Sequence, residues 1–320
     1  MFVGEFNLDS PFMNAGGLVK GLEDARRMAA TAVGAVVAGS FTIDEKVGNS
    51  PNGEIVYYHD PQTMITYNAL GMPNKGLRSL AATGELQDMI DVTHDAGKPF
   101  ILNFAPISED PFAEVTELRA ILARAKIENL DGLELNASCP NVVTADGGRH
   151  ELLSHHTAQL GDVLYELDNI SWNEVPFGFL AVRISPFRRK EDALELATVI
   201  DEAQTDAVSA FNTFPGGIPV NQAGAQILQV SGGMGGQSGL GMMDKAEEQT
   251  RWLDDARTQA NGVFEIIGSN GVGNGKAMRR RMKNFGVSAV SATTLFWESN
   301  SWGEAANKIL EEYVEALETA

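Results

Sequence analysis

The sequence predicts an α/β protein, a (β/α)8 TIM barrel with an antiparallel excursion and long loops over the C-terminal face. Two observations carry this. Short apolar, β-branched runs ending in a small or polar residue recur eight times along the 320 residues. Between them lie amphipathic stretches of helical period, and strands alternating with helices in this way form parallel βαβ units. Eight such units favour a closed barrel over an open doubly wound sheet, and barrels commonly exceed about 250 residues as one domain. No proline-, serine- or charge-rich linker divides the chain, so residues 1–320 are read as a single domain.

The runs follow one another as FMNAG (Phe12 to Gly16), AVVAGS (Ala35 to Ser40), FILNFA (Phe100 to Ala105) and GLELNAS (Gly132 to Ser138). The second half supplies FLAVRIS (Phe179 to Ser185), AVSAFN (Ala207 to Asn212), FEIIGS (Phe264 to Ser269) and AVSATT (Ala289 to Thr294). Helical stretches such as LEDARRMAATA, LQDMIDVTHDAG, AEVTELRAILARAK, EDALELATVIDEAQ and AMRRRMKNFG separate them. Three segments are too long for plain connections: residues 41–80, 139–176 and 213–240. The first is rich in Pro, Gly, Asn and Tyr, and the third is dense in glycine. Both are read as insertions over the barrel mouth, where enzymes of this architecture carry their sites.

Twenty-four basic residues against 43 acidic ones give a formal net charge of −19. That charge repels phosphate backbones and anionic lipid, so neither nucleic acid nor a membrane surface is an expected partner. Cys139 is the sole cysteine, which excludes an internal disulfide and favours a reducing compartment, the cytoplasm. The N-terminus lacks a cationic region followed by a long apolar run, so no signal peptide is expected. No stretch approaches the roughly 20 apolar residues of a membrane span.

The polar residues at the strand ends are Asn14, Ser40, Asn103, Asn136, Ser138, Arg183, Asn212, Ser269, Asn270, Thr293 and Thr294. One asparagine there is ordinary turn chemistry. Asn103, Asn136 and Asn212 together, converging on one mouth, read as a ring of amides suited to a flat ligand with alternating carbonyl and N–H groups. Arg183 is the one cation placed at the site, and no lysine accompanies it. The run GGMGGQSG (Gly232 to Gly239) loosely mimics a dinucleotide fingerprint but lacks the preceding strand. The run GSNGVGNG (Gly268 to Gly275) follows a strand and feeds a helix, the physical form of a phosphate cradle.

Cys139, in ELNASCPN, is read either as a small buried hydrophobe or, from its place at the mouth, as a base or nucleophile. His150, His155 and His156 lie in a polar stretch without ligand spacing and are read as solvated, with no metal. The acidic residues spread over helix faces, so a two-carboxylate glycosidase has no basis.

ELNASCPN, with FMNAGG, YNALGMPN, ISPF, NTFPGG, GGMGGQSG, IIGSNGV and SAVSATTLF, resembles the dihydroorotate dehydrogenases, most closely their soluble class 1 branch. The likeness runs in order from about residue 5 to about residue 315. It implies an FMN-dependent barrel that oxidises dihydroorotate to orotate in pyrimidine biosynthesis. Cys139 would be the general base at C5 of the substrate, while a hydride passes from C6 to flavin N5. The substrate would be held by Asn68, Asn136, Asn141 and Asn212, with Gly71, Met72 and Thr213. The flavin would lie against Ala15, Gly16, Ser40 and Asn103, with its phosphate near Gly235, Gly236, Asn270, Gly271, Thr293 and Thr294.

The resemblance also implies a homodimer and an electron acceptor. That acceptor is fumarate, or NAD reached through a partner subunit carrying FAD and an iron–sulfur cluster, and ISPF and NTFPGG lean toward the second. Two positions depart from the class 1 pattern. Gly39 replaces a lysine before Ser40, and Arg183 replaces a lysine facing the flavin N1 and O2 edge. The first departure keeps two alternatives open: a related FMN oxidoreductase acting on another pyrimidine or cyclic imide, and a flavin-binding homologue with weakened catalysis.

Overall fold

The protein is described by a computed structural model over residues 2–4, 6–138, 152–173 and 175–318. It opens with a two-residue antiparallel ribbon, β1 (Phe2–Val3) and β2 (Phe6–Asn7). β3 (Phe12–Asn14) enters the barrel, and α1 (Leu22–Ala29) leads to β4 (Val36–Phe41). The chain then departs as a hairpin, β5 (Tyr57–Asp60) and β6 (Ile65–Asn68), and returns through α2 (Leu77–Ala82) and α3 (Glu85–Asp95) to β7 (Phe100–Phe104). α4 (Pro111–Ala125) precedes β8 (Gly132–Asn136), and α5 (Thr157–Asn173) precedes β9 (Phe179–Ile184). α6 (Asp192–Glu202) precedes β10 (Ala207–Ala210). A second departure carries β11 (Phe214–Gly217) and β12 (Gly235–Ser238). α7 (Met243–Ala260), β13 (Glu265–Ser269), α8 (Gly275–Asn284) and β14 (Val287–Ala292) follow. α9 (Thr294–Trp297) and α10 (Trp302–Glu318) complete the chain.

Each of the eight predicted runs supplies one strand of a parallel sheet ordered β3-β14-β13-β10-β9-β8-β7-β4. Its two end strands meet through a few backbone hydrogen bonds, Gly34 N–H to the Phe12 carbonyl and Gly39 N–H to the Val19 carbonyl, both at 2.8 Å, and a side chain adds to them. Asn14 Nδ2 donates to the Val37 carbonyl at 2.6 Å, and Asn14 Oδ1 accepts from the Val37 N–H at 3.0 Å. An amide side chain has the same donor and acceptor as a peptide, so Asn14 continues the ladder where β3 is too short to do so. It contributes to barrel closure.

Alternation within each strand sorts the core. Leu133, Leu135, Leu180, Val182 and Ile184 face outward into the helix-lined core, with Leu118, Leu160 and Leu196 among its members. Met13, Val37, Ile101, Ala181, Ile267 and Ala289 point into the barrel, where Val3 and Leu8 of the N-terminal segment join them. The ribbon therefore plugs the barrel floor. The apolar outer face is what docks the helices, each fully buried leucine contributing about 2 kcal/mol. At α4 the boundary is written locally: Pro111 takes the first helical turn and the Asp110 side chain accepts from the Ala113 N–H.

The two insertions are one structure. Residues from 41–80 and 213–240 combine into an antiparallel sheet ordered β11-β12-β6-β5, with Gly236 opposite Asn68. β12 is also the strand in which GGMGGQSG ends. Among the described residues no helix is long and apolar enough to cross a membrane.

Candidate active site

Polarity changes along the barrel axis. Above the apolar floor, the inward residues become Asn103, Glu134, Ser209, Ser269 and Ser291, all buried. Glu134 sits at the centre of this layer. Asn103 Nδ2 donates to one of its oxygens and Ser209 Oγ to the other. Arg183, one step further up β9, brings Nη1 to 3.9 Å of the same carboxylate. Burial pushes the Arg183 guanidinium below its ordinary value, and the Glu134 charge opposes that fall. An arginine in such a place stays protonated.

A cavity opens above this layer, with Arg183 in its floor and the strand ends as its walls. On one side Asn136 Nδ2 donates to Ser40 Oγ at 2.8 Å, and Ser138 Oγ donates to Asn136 Oδ1 at 2.7 Å. Asn212 Nδ2 donates to Ser138 Oγ at 2.9 Å, so two of the predicted asparagines are linked through one serine. Asn68, Gly71 and Met72 approach from the insertion sheet, while Thr213 stands beside Asn212. Opposite them the wall is Ala15 and Gly16, then Asn270, Gly271, Thr293 and Thr294.

Of the residues expected from the sequence, Asn103, Gly235 and Gly236 lie off the cavity wall. Asn103 is buried beneath Gly16, where any Cβ would stand 2.9 Å from Asn103 Nδ2. Gly235 and Gly236 are packing positions of β12: a Cβ on Gly236 would meet Thr213 Oγ1 at 2.0 Å. Ser238 and Gly239, further along the same run, line the cavity. Cys139 and Asn141 lie outside the described residues, as does His150.

Three sequence readings need correction. The phosphate cradle was assigned to the α8 N-terminus, but protein groups occupy it. Asn274 accepts from the Ala277 N–H, and Glu312 Oε2 accepts from the Gly275 N–H at 2.9 Å. The turn before it, Asn270 to Val272, faces the cavity instead. His155 is not solvated: its Nε2 lies 2.9 Å from Oγ of Ser185, the residue that follows β9. Nor is Arg183 the lone cation. Lys20, on the turn after β3, lines the cavity and donates from Nζ to the Ser40 carbonyl at 2.8 Å.

Lys20 reaches the wall on which Gly39 lies. A Cβ at Gly39 would stand 2.2 Å from the Asn103 carbonyl oxygen, and φ there is +123°. No lysine fits that backbone, and the ammonium reaches the same wall from a neighbouring strand end. Trp297 is a second residue that sequence reasoning missed. It lines the cavity and packs edge-on against Tyr57 of the insertion, ring centroids 5.3 Å apart.

Whether the site suits a flavin is tested by its unpaired groups. Asn270 lines the cavity, and its Oδ1 is buried without a hydrogen-bond partner. Buried polar atoms are normally satisfied, and an orphaned acceptor at a cavity wall suits a ligand that donates to it. A ring edge bearing carbonyls and N–H groups meets that demand.

A sequence model of the dihydroorotate dehydrogenase family matches residues 2–317. The chain is 28% identical over 270 residues to the dihydroorotate dehydrogenase B (NAD(+)) catalytic subunit of Methanopyrus kandleri, covering 78% of this chain and 76% of that protein. It is 27% identical over 292 residues to the corresponding subunit of Bacillus pumilus, covering 90% and 82%. Among solved structures, a dihydroorotate dehydrogenase of Eimeria tenella in complex with ferulenol superposes with a TM-score of 0.73. It is 18% identical, with 99% of this chain and 84% of that chain covered, a likeness of fold.

Proposed function

Because the chain belongs to the dihydroorotate dehydrogenase family, we propose that its barrel mouth binds FMN and oxidises dihydroorotate to orotate with Cys139 as general base. The family makes it an oxidoreductase acting on a CH–CH bond. The observation that supports the finer reading is the cavity itself. It combines an amide-rich wall, two cations and an unpaired buried acceptor at the C-terminal face of the barrel.

FMN would rest on Ala15, Gly16 and Ser40, with Asn103 supporting Gly16 from behind, Arg183 below it and its phosphate toward Asn270, Gly271, Thr293 and Thr294. Gly235 and Gly236 would act at one remove, by letting β12 approach Thr213. Bound FMN supplies a hydride acceptor. The chain's own residues do the rest. Asn68, Asn136 and Asn212, with Asn141, would orient the substrate ring by its carbonyls and N–H groups. Gly71, Met72 and Thr213 would close the pocket over it, and Lys20 would meet its carboxylate. Cys139 would take the proton from C5, a step that needs a thiolate at the mouth.

The named relatives are catalytic subunits of an NAD(+)-linked enzyme. By that likeness electrons would leave for NAD through a partner subunit carrying FAD and an iron–sulfur cluster, rather than for fumarate, and the chain would work as a homodimer in the cytoplasm.

The test is spectroscopic. The purified protein should be yellow, and dihydroorotate added without oxygen should bleach the flavin. Cys139→Ala should still bind orotate but bleach at least about a hundredfold more slowly, the usual scale of a lost general base. A flavin that dihydroorotate leaves oxidised, yet another pyrimidine reduces, would reject the substrate assignment. Equal bleaching by the variant would reject the base.

A further inference from the structure

We propose that Glu134 lowers the reduction potential of the bound flavin by standing as a fixed counter-charge to Arg183 beneath the cavity floor. The inference rests on the reading of the cavity as a flavin site. It concerns a residue that the cavity does not expose: Glu134 is 4% exposed and lies one layer down.

A carboxylate in a barrel interior is costly to bury, by several kcal/mol, unless its charge is met. Here both oxygens accept hydrogen bonds, from Asn103 and Ser209, and the Arg183 guanidinium stands 3.9 Å away. Two donors converging on one carboxyl are the partners of an ionised, acceptor-only group. Meanwhile Arg183 Nη1 has no hydrogen bond of its own. The cation of the cavity floor thus has Glu134 below it as a counter-charge, at a distance too long for a hydrogen bond.

That balance matters to the chemistry. Oxidation of the substrate breaks C6–H with transfer of two electrons and one proton to the flavin, while the C5 proton leaves to the base. A hydride taken up by bound FMN would add one negative charge there, which Arg183 would attract and Glu134 would repel. A bare arginine would favour the reduced form strongly and hold the electrons. The carboxylate moderates that pull and keeps the flavin able to pass them on to the next acceptor.

Glu134→Gln removes the charge and keeps an amide able to bond both Asn103 and Ser209. The holoenzyme and the variant are equilibrated anaerobically with a reference redox dye during slow reduction, without substrate. At a given dye ratio the reduced-to-oxidised flavin ratio should rise about tenfold or more in the variant. That is the order expected for removing one charge within about a nanometre at an effective dielectric near 20. Ser209→Ala, a small change outside the cavity wall, leaves the carboxylate with one donor fewer, and the ratio should fall.

A ratio that both variants leave within twofold of the wild type overturns the proposal, as does a rise in Ser209→Ala. If Glu134→Gln does not fold, Ser209→Ala decides alone: a fall supports the proposal and an unchanged ratio overturns it. A wild-type chain that binds no FMN fails the functional reading, and this inference with it. One that binds FMN but is unmoved by both variants fails this inference alone.

Discussion

Lys20 shows how a site keeps its charge when a backbone cannot carry it. Its ammonium is anchored to the Ser40 carbonyl, and its stem passes Phe41, with Nζ 5.8 Å from the ring centroid. A charge-assisted bond to a ligand carboxylate contributes roughly 2 kcal/mol. Lys20→Met should therefore weaken orotate binding by about tenfold or more, read by titrating the flavin absorbance, while FMN remains bound. An unchanged orotate affinity would take Lys20 out of substrate binding. The asparagines were legible because they sit at the ends of strands whose pattern is unmistakable. Lys20 was not, since only the path of the turn after Asn14 brings it back across Ser40. The buried Glu134 was hidden in the same way. In GLELNAS it reads as one acidic residue among apolar ones, and nothing local says that Asn103, Ser209 and Arg183 surround it.

At the scale of elements, one side chain reinforces the closure of the barrel beside a few backbone hydrogen bonds. Asn14 makes two hydrogen bonds to Val37 across the gap between β3 and β4. Asn14→Ala would leave a buried N–H and a buried carbonyl unpaired, which costs on the order of 3 kcal/mol. We expect a lower urea midpoint with little change in the steepness of the transition, measured by far-ultraviolet circular dichroism. A variant as stable as the wild type would show that the gap closes without Asn14. The insertions make the complementary point. Each was visible as an overlong connection, yet their pairing was not, because β6 and β12 are some 170 residues apart and register is a property of two strands at once. The glycines of β12 follow from that pairing, since Thr213 and Asn68 leave no room for a Cβ. A motif that looked like a dinucleotide loop is a strand packed closely against its neighbours.

The whole molecule is a gradient from an apolar floor to a polar mouth. Leu8 closes the floor at 2% exposure, packed with Met13, Val37 and Phe179 in one cluster. Leu8→Ala should cost about 2–5 kcal/mol of stability and leave the flavin spectrum and the orotate affinity unchanged, because floor and mouth are separated by the polar layer. A loss of FMN at full stability would contradict that separation.

The sequence alone determined the barrel and its eight strands, because those are written in local periodicity and in the residues that end each run. It determined the family likeness through ELNASCPN and its companions. Only the tertiary structure decided how the barrel closes, which glycines pack and which face the cavity, and where the second cation comes from. It alone placed a carboxylate under Arg183. These depend on contacts between residues far apart in the chain, and such contacts leave no periodic trace in either partner's own neighbourhood.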